Sequence, residues 1–498
     1  MKLAQVLAGV RLKRPLPAGL AVLRVEDLEY DSRRVKKDTL FFAFPGARAD
    51  GRQFARAAIE SGAVAVASDL SPPENFSGNW IEVEHGRQAL ALASRNIFGR
   101  PDERVALTGI TGTNGKTTTS YLVDSILRAA GKITALVGTI EYHLGDRVLK
   151  AANTTPESLD LYRLFAELEQ MGGTFATLEV SSHALALGRV YGMHLHTAVF
   201  TNITRDHLDF HGSMENYFAA KQMLFTGAGA PAPRFAVINR DDESGAHIDT
   251  GKETSVLWYG LGKDATVRAR LIASSVDGLR FEVQAGKEHF EIKSRLIGRI
   301  NVYNILAACS VGLSHGFATD VIVRGIAQCK AVPGRFERVD EGQPFVVVVD
   351  YAHTDDALRN VISMARSLEP KRVITVFGCG GDRDRTKRPI MGEVAAELSD
   401  LVVLTSDNPR SEDPLDIMND VLVGLRRKDT PCLAEPDRAL AIKRAIEAAR
   451  PGDTIILAGK GHETYQMLKD RTIPFDDREV AREVLRGFGY RRRADSES

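Results

Sequence analysis

Residues 105–118 read VALTGITGTNGKTT, an apolar β-branched run that breaks into a glycine-rich turn and then opens an amphipathic helical pattern. Strand, turn and helix in that order are the context a phosphate-cradling loop needs. In such a loop the backbone N–H groups of Gly112, Thr113, Asn114 and Gly115 face phosphate oxygens, and the helix amino end at Thr118 adds partial positive charge. Lys116 neutralises the terminal phosphates, and the Thr117 hydroxyl is placed for magnesium. The spacing departs from the generic GxxxxGK[ST] pattern, because Ile110 stands where its first glycine would be. Magnesium beside a nucleotide needs hard ligands from neighbouring strand ends. Glu179, closing TFATLEV, and His207, after TAVFTNI, are the candidates.

At about 150 residues per domain, the 498 residues of the chain give about three domains. The 65 basic and 65 acidic side chains cancel, which argues against a nucleic-acid-coating or anionic-membrane role. Cys309, Cys329, Cys379 and Cys432 show no metal-finger or CxxC spacing and read as thiols of a reducing compartment. No run approaches the roughly 18 apolar residues needed to span a bilayer, and Leu3, Val6, Leu7 and Val10 fall at helical spacing, so a cytoplasmic protein is expected.

The fold class is α/β in three domains. A small amino-terminal α/β domain over 1–97 has strands at LFFAF, AVAVA and WIEVE. A central ATPase-like parallel sheet over 98–333 carries the phosphate loop, with a β insertion between Trp258 and Ile297. A Rossmann-like domain over 334–498 contains FVVVVD, RVITVFG, LVVLTS and TIILAG, each running into a polar cluster. In an open parallel sheet ligands bind beyond the carboxyl strand ends, so those four clusters should meet at one edge.

With TGTNGKTT, EVSSHAL, TNITRDHLDFHG, YFAAKQMLF, NVYNILAA, PGRFE and DYAHTDDAL in this order, the chain resembles the Mur ligases over nearly its whole length. DSR, DNPR and GKGHE are similar to the members that add the third amino acid. The resemblance implies ligation, with ATP and Mg²⁺, of meso-2,6-diaminopimelate to UDP-N-acetylmuramoyl-L-alanyl-D-glutamate, leaving ADP and phosphate. That is a cytoplasmic step of peptidoglycan synthesis, tied to cell shape and division, with a monomer expected and neither nucleic acid nor membrane insertion involved. Lys221 in YFAAKQMLF matches a lysine that the family carries as a carbamate formed with carbon dioxide, so the implied metal set is Thr117, Glu179, His207 and Lys221, and the implied catalytic set Lys116, Glu179, His207 and Lys221. A carbamate is an anionic oxygen ligand, whereas an ammonium would repel the ion. Asn304, Arg335 and Asp350 match adenine and ribose contacts. Tyr30, Ser32, Ala47, Arg48 and Ala49 match the uridine stretch, and Asn153, Thr154, Thr155, Ser181 and Arg189 the phosphate and peptide contacts.

Diaminopimelate is zwitterionic at both ends, so its site must hold one end and leave an amine free at the other. Within Asp407-Asn408-Pro409-Arg410, Asp407 suits the ammonium and Arg410 a forked grip on the carboxylate, with Pro409 fixing the turn. Arg383, Gly459 and Glu463 match the remaining contacts of the family. L-lysine would leave Arg410 without its anion, at about 3 to 5 kcal/mol. A lysine-adding ligase, a folylpolyglutamate synthase relative and a non-catalytic nucleotide-binding regulator are the competing readings. One departure stands out: the family commonly has Pro where this chain has Asp355.

Overall fold

The structure is a computed structural model that describes residues 1–46 and 49–491. It is α/β throughout and built on three main sheets. Its described residues form two compact units, the first drawn from 1–203, 210–268 and 306–325, the second from 204–209, 269–305 and 326–491.

The first unit holds two of the sheets. Near the amino terminus, strands Asp27–Glu29, Thr39–Phe42, Ala63–Ser68 and Trp80–Glu82 pair in parallel in that order. Leu3, Val6 and Leu7 are fully or nearly buried on this core, as their helical spacing predicts, although the helix runs only from Leu3 to Val6. In the larger sheet, Ala106–Thr111 lies between Thr197–Phe200 and Phe175–Glu179, parallel to both. Parallel pairing continues outward through Phe235–Asn239 to Ser255–Gly260 on one side and to Thr134–Val137 on the other. Glu141–Leu144 and Arg147–Lys150 then add antiparallel strands. The central strand is buried at every residue but its first, as expected where a parallel sheet is covered on both faces. One of them, Lys116–Ala129, buries Leu122, Val123, Ile126 and Leu127 at the spacing of a single helical stripe.

The second unit contains the strand order Glu337–Val339, Val346–Asp350, Thr454–Ala458, Val373–Phe377, Leu401–Leu404, Cys432–Ala434, parallel except for the first pair. The four apolar runs singled out from the sequence are thus adjacent and point the same way. Their side chains alternate between two cores: Val348 packs with Leu358, Ile362 and Met391, whereas Val347 and Val349 pack with Ile442, Ile446 and Leu485. Each fully buried side chain of this size stabilises the fold by about 1.5 to 3 kcal/mol. The expected β insertion is present, and includes the antiparallel hairpin Gly278–Ala285 with Glu288–Ser294. Among the described residues no helix is long and apolar enough to cross a membrane.

Candidate active site

In the first unit the phosphate loop leaves its strand at Gly112 with φ 147°, and a Cβ there would stand 1.8 Å from Thr201 Oγ1, so only glycine fits. Thr113 N donates to Asn202 O at 2.9 Å and Asn114 N to Asn202 Oδ1 at 2.9 Å, which ties the loop to the neighbouring strand end. Lys116 Nζ lies on its own loop, donating to Gly112 O at 2.8 Å and Thr113 O at 3.0 Å. Thr117 Oγ1 donates to Glu179 Oε2 at 2.9 Å, and the fully buried Glu179 also accepts from Thr139 N and Thr139 Oγ1, each at 2.9 Å.

From Glu179 a polar seam runs on. Thr139 Oγ1 meets Thr154 Oγ1 at 3.1 Å, Thr155 Oγ1 donates to Glu179 O at 2.8 Å, and Ser181 N donates to Thr155 Oγ1 at 3.1 Å. Arg189 donates to Thr155 O at 2.8 Å and to Glu157 Oε1 at 3.1 Å. Arg87 reaches the same carboxylate oxygen at 3.2 Å, and its guanidinium covers the Phe44 ring at 4.4 Å. Arg87, Phe44 and Glu157 went unnoticed in the sequence, since nothing local marks them. Tyr30 donates to Asp160 Oδ2 at 2.5 Å and stacks on Phe44, with burial and that carboxylate pushing its phenol pKa up. Ser32 starts a short 3₁₀ turn capped by Asp31, and Ala49 O accepts from Gly46 N at 2.9 Å. Ala47 and Arg48 lie outside the described residues. Asn153 is exposed, its carbonyl accepting from Tyr142 Oη at 2.5 Å.

Lys221 is buried on the helix Met214–Thr226, its Nζ 4.4 Å from the Tyr217 ring centre. Tyr217 Oη is 3.1 Å from Thr113 Oγ1 of the phosphate loop. The imidazole beside Tyr217 is that of His211, which meets Ser182 Oγ at 3.0 Å. His207 belongs to the second unit, where it is half exposed with a left-handed φ of 53° and Nε2 3.4 Å from Asp206 Oδ2. Thus Thr117 and Glu179 are in direct contact and Lys221 adjoins the loop through Tyr217, whereas His207 is not gathered with them inside the first unit. Among the described residues no three His, Cys, Asp or Glu side chains form a metal-holding group. A hydroxyl and a carboxylate at a phosphate loop nevertheless fit Mg²⁺, which is held by few protein ligands together with phosphate oxygens and water.

In the second unit the four strand ends do converge. They line a cleft of about 380 Å³ that includes Arg383, Asp407, Asn408, Arg410, Gly459 and Glu463, with His207 also on its wall. Asp407 is 9% exposed, and its Oδ2 is buried with no hydrogen-bond partner. A Cβ on Gly459 would stand 2.6 Å from that oxygen, so glycine keeps the approach open. Arg410 bonds through Nη1 to Gly381 O at 2.7 Å, leaving its other edge for a ligand. Arg383 Nη1 donates to Asp382 O at 3.0 Å.

Asn408 is already engaged. Its Nδ2 donates to Glu463 Oε2 at 2.8 Å, and its Oδ1 accepts from Met467 N at 2.9 Å and Lys460 Nζ at 3.3 Å. Lys460 is fully buried and pairs with Glu463 at 3.1 Å, while Gln466 Nε2 holds Asp407 O at 2.7 Å. Pro409 joins the turn through its carbonyl, which accepts from Glu412 N at 3.1 Å. Lys460 and Gln466 escaped the sequence reading, although Lys460 sits inside GKGHE. Near the same edge, Asp350 Oδ2 accepts from Phe336 N at 2.7 Å, and burial raises its carboxyl pKa against the pull of Arg335. The Arg335 guanidinium lies 4.8 Å over the Tyr351 ring, and Asn304 Nδ2 donates to Asn301 Oδ1 at 2.9 Å.

A glycine-rich strand–loop–helix turn on one sheet and a charged cleft at the carboxyl edge of another define an α/β protein of the nucleotide-binding type. The chain belongs to the Mur ligase family: residues 24–97 match its catalytic domain, 110–312 its middle domain and 334–461 its glutamate ligase domain. It is 67% identical to UDP-N-acetylmuramoyl-L-alanyl-D-glutamate–2,6-diaminopimelate ligase of Solibacter usitatus, covering 98% of this chain and 99% of that one. With the ligase of the same name from Geobacillus thermodenitrificans the identity is 44%, over 92% and 94% of the two chains. A solved structure of a ligase of this name superposes with a TM-score of 0.71 at 32% identity, covering 98% of this chain and all of that one. Folylpolyglutamate synthase of Mycobacterium tuberculosis, solved with ADP, shares the fold at a TM-score of 0.62 and 19% identity, over 75% of this chain and 91% of that one.

Proposed function

We propose that this chain is an ATP-dependent amide ligase that joins meso-2,6-diaminopimelate to UDP-N-acetylmuramoyl-L-alanyl-D-glutamate in peptidoglycan precursor synthesis. The observation that carries the amine assignment is the buried, unpartnered Asp407 Oδ2 facing a cleft that also holds Arg383 and Arg410. An orphaned buried carboxylate oxygen costs the folded state about 1 to 3 kcal/mol unless a donor arrives. An ammonium is the donor that fits, with a carboxylate beside it for the guanidinium groups.

In this reading residues 98–333 bind ATP, 334–498 the amino acid and 1–97 the UDP end. Within the first unit Thr117, Glu179 and a carbamylated Lys221 would hold Mg²⁺, which when bound supplies Lewis-acid stabilisation of phosphoryl oxygens. Lys116 leaves the loop carbonyls for the β- and γ-phosphates. The D-glutamate side-chain carboxylate attacks the γ-phosphorus; its oxygen gains the phosphoryl group and ADP leaves. The free amine of diaminopimelate then adds to the acyl carbon, loses a proton, and expels inorganic phosphate as the amide forms. Thr154, Thr155, Ser181 and Arg189, bonded into one seam with Glu179, suit the pyrophosphate and peptide of the acceptor. A cytoplasmic location accords with four cysteines that form no disulfide among the described residues, and a monomer is the proposed state, since one chain carries both edges.

The test is phosphate release with the UDP-linked dipeptide and each amine in turn, the acceptor carboxylate labelled with ¹⁸O. Diaminopimelate should drive turnover far better than L-lysine, and the label should appear in phosphate. Unlabelled phosphate would exclude the acyl phosphate, and equal turnover with lysine would exclude the charge argument at Arg410.

A further inference from the structure

Two loops carry the guanidinium groups of the cleft, 378–386 with Arg383 and 407–413 with Arg410. They are zipped together: Gly381 N donates to Asn408 O at 2.9 Å, Ser411 Oγ to Asp382 Oδ1 at 2.6 Å, and Arg410 Nη1 to Gly381 O at 2.7 Å. Asp382 and Arg410 both hold left-handed backbone, φ 54° and 53°, which non-glycine residues keep only where their surroundings over-determine it. Beneath them lies Arg388, fully buried on the helix Lys387–Leu398. It grips Glu412 with a fork, Nη1 at 2.9 Å and Nη2 at 2.8 Å, and donates to Asp420 Oδ2 at 2.9 Å and Gly380 O at 3.3 Å. Glu412 Oε1 in turn accepts from Asp382 N at 2.5 Å, so a single carboxylate joins the buried arginine to both loops.

A buried guanidinium is a poor source of net stability, and this one leaves its Nε buried without a partner. What the pair does supply is geometry, since a bidentate fork fixes the orientation of both planar groups. We propose that Arg388 and Glu412 are positioning residues: they hold the left-handed Arg410 turn so that its free edge meets the distal carboxylate of the amine substrate, and thereby set the preference for a dicarboxylic diamine over one lacking that group. Neither residue touches the substrate. The inference rests on the diaminopimelate reading of the cleft, and L-lysine serves as its internal control, because an amine without the distal carboxylate never uses the Arg410 grip.

The experiment compares steady-state kinetics of the full chain and two variants, Glu412→Gln and the milder Asp382→Asn, with ATP, the UDP-linked dipeptide and either diaminopimelate or L-lysine. Asp382 is exposed, so its variant tests the zipper even if Glu412→Gln fails to fold. The expected result for Glu412→Gln is a KM for diaminopimelate raised about tenfold, the loss appropriate to one charge-assisted bond. The values of kcat and of KM for ATP and dipeptide should change less than about twofold, and kcat/KM for lysine should be unaltered. Asp382→Asn should move the same KM in the same direction by about threefold, as for one weaker exposed contact. Parallel losses with both amines, or an unchanged diaminopimelate KM in a folded variant, would overturn the positioning role. Absence of diaminopimelate turnover in the unmodified chain would instead strike the underlying substrate reading.

Discussion

The phosphate-loop edge of the first unit and the cleft edge of the second are built on the same plan, parallel strands ending in polar loops, yet they place charge in opposite ways. At the phosphate loop the contacts are backbone N–H groups, threonine hydroxyls and one lysine within a few residues of each other. At the cleft they are ionised side chains from four strands, locked by buried ion pairs: Lys460 with Glu463, Arg388 with Glu412, Arg438 with Asp477. The difference suits the ligands proposed for the two edges. A polyphosphate is an extended anion that dipoles and a cation can cradle. A zwitterion asks for both signs at fixed separation, and opposed charges in a cleft must be held apart by a rigid frame.

Removing the loop lysine of the first edge should have the largest effect and fall on every substrate alike. Lys116→Met loses a preorganised donor to the transferring phosphoryl group, about 3 to 4 kcal/mol or two to three powers of ten in kcat, with either amine. Phosphate release measured with both amines checks this; a loss confined to one of them would erase the contrast between the edges. At the second edge Asp407→Asn keeps the shape and removes the charge that faces the ammonium. The expected loss is about 1.5 to 3 kcal/mol in kcat/KM for amine, with the KM for ATP unmoved. Lysine should suffer as much as diaminopimelate, because both keep an ammonium at that end; calorimetric binding of each amine separates Asp407 from Arg410 in this respect.

Legibility from sequence divides along the same line. The phosphate loop is contiguous, so residues 111–118 could be read as a unit with their strand and helix, and the structure shows them folded in that order. The convergence of the four carboxyl strand ends could also be read, because an apolar run of parallel strands has one available edge. What stayed hidden are partners brought by tertiary contact alone. Tyr217 under the loop, Arg87 against Phe44, and Arg388 under the DNPR turn carry no local periodicity or spacing that marks them. The interior of GKGHE shows the same limit: the motif was visible, but that Lys460 is buried against Glu463 and Asn408 depends on two strand ends meeting.

Acid tests both units at once, through one buried imidazole in each. In the first unit His315 stacks on His196 at 4.3 Å between Phe175 and Phe317, with Nε2 3.1 Å from Thr108 Oγ1, and burial lowers its pKa to about 3. A histidine whose folded pKa is depressed gives stability that is complete above its unfolded value near 6.5. That stability is lost as pH falls from there toward 3, at about 1.4 kcal/mol per unit, so roughly 2 kcal/mol has gone by pH 5. In the second unit burial and Arg335 lower His462 to about 3 as well, so each unit carries its own acid-labile imidazole. Thermal melts from pH 7.5 to 5 should fall steadily. His315→Gln should flatten the part belonging to the first unit, and an unchanged slope would show that the stacked pair is already protonated when folded.

The smallest effect is expected at Asp355, where the chain departs from the pattern of its family. Asp355 opens the helix Asp355–Arg366, directly after Thr354, whose hydroxyl accepts from Ala357 N at 3.2 Å and caps the turn. That first helical position is the one at which proline is tolerated, since the backbone N–H there has no intrahelical acceptor to lose and φ is already near −65°. Replacing Asp355 by Pro removes a carboxylate that complements the helix dipole, worth about 0.3 to 1 kcal/mol. It also restrains the unfolded chain, which returns about 0.4 to 1 kcal/mol. The two terms cancel to within measurement, so the melting temperature should stay within about 2 °C. Asp355 also lines the cleft, which makes the kinetic result informative. If its charge serves only the helix, KM for diaminopimelate stays within about twofold; a rise beyond about fivefold, worth near 1 kcal/mol, would place this carboxylate among the groups that hold the ammonium and extend the zwitterion site past the four strand ends.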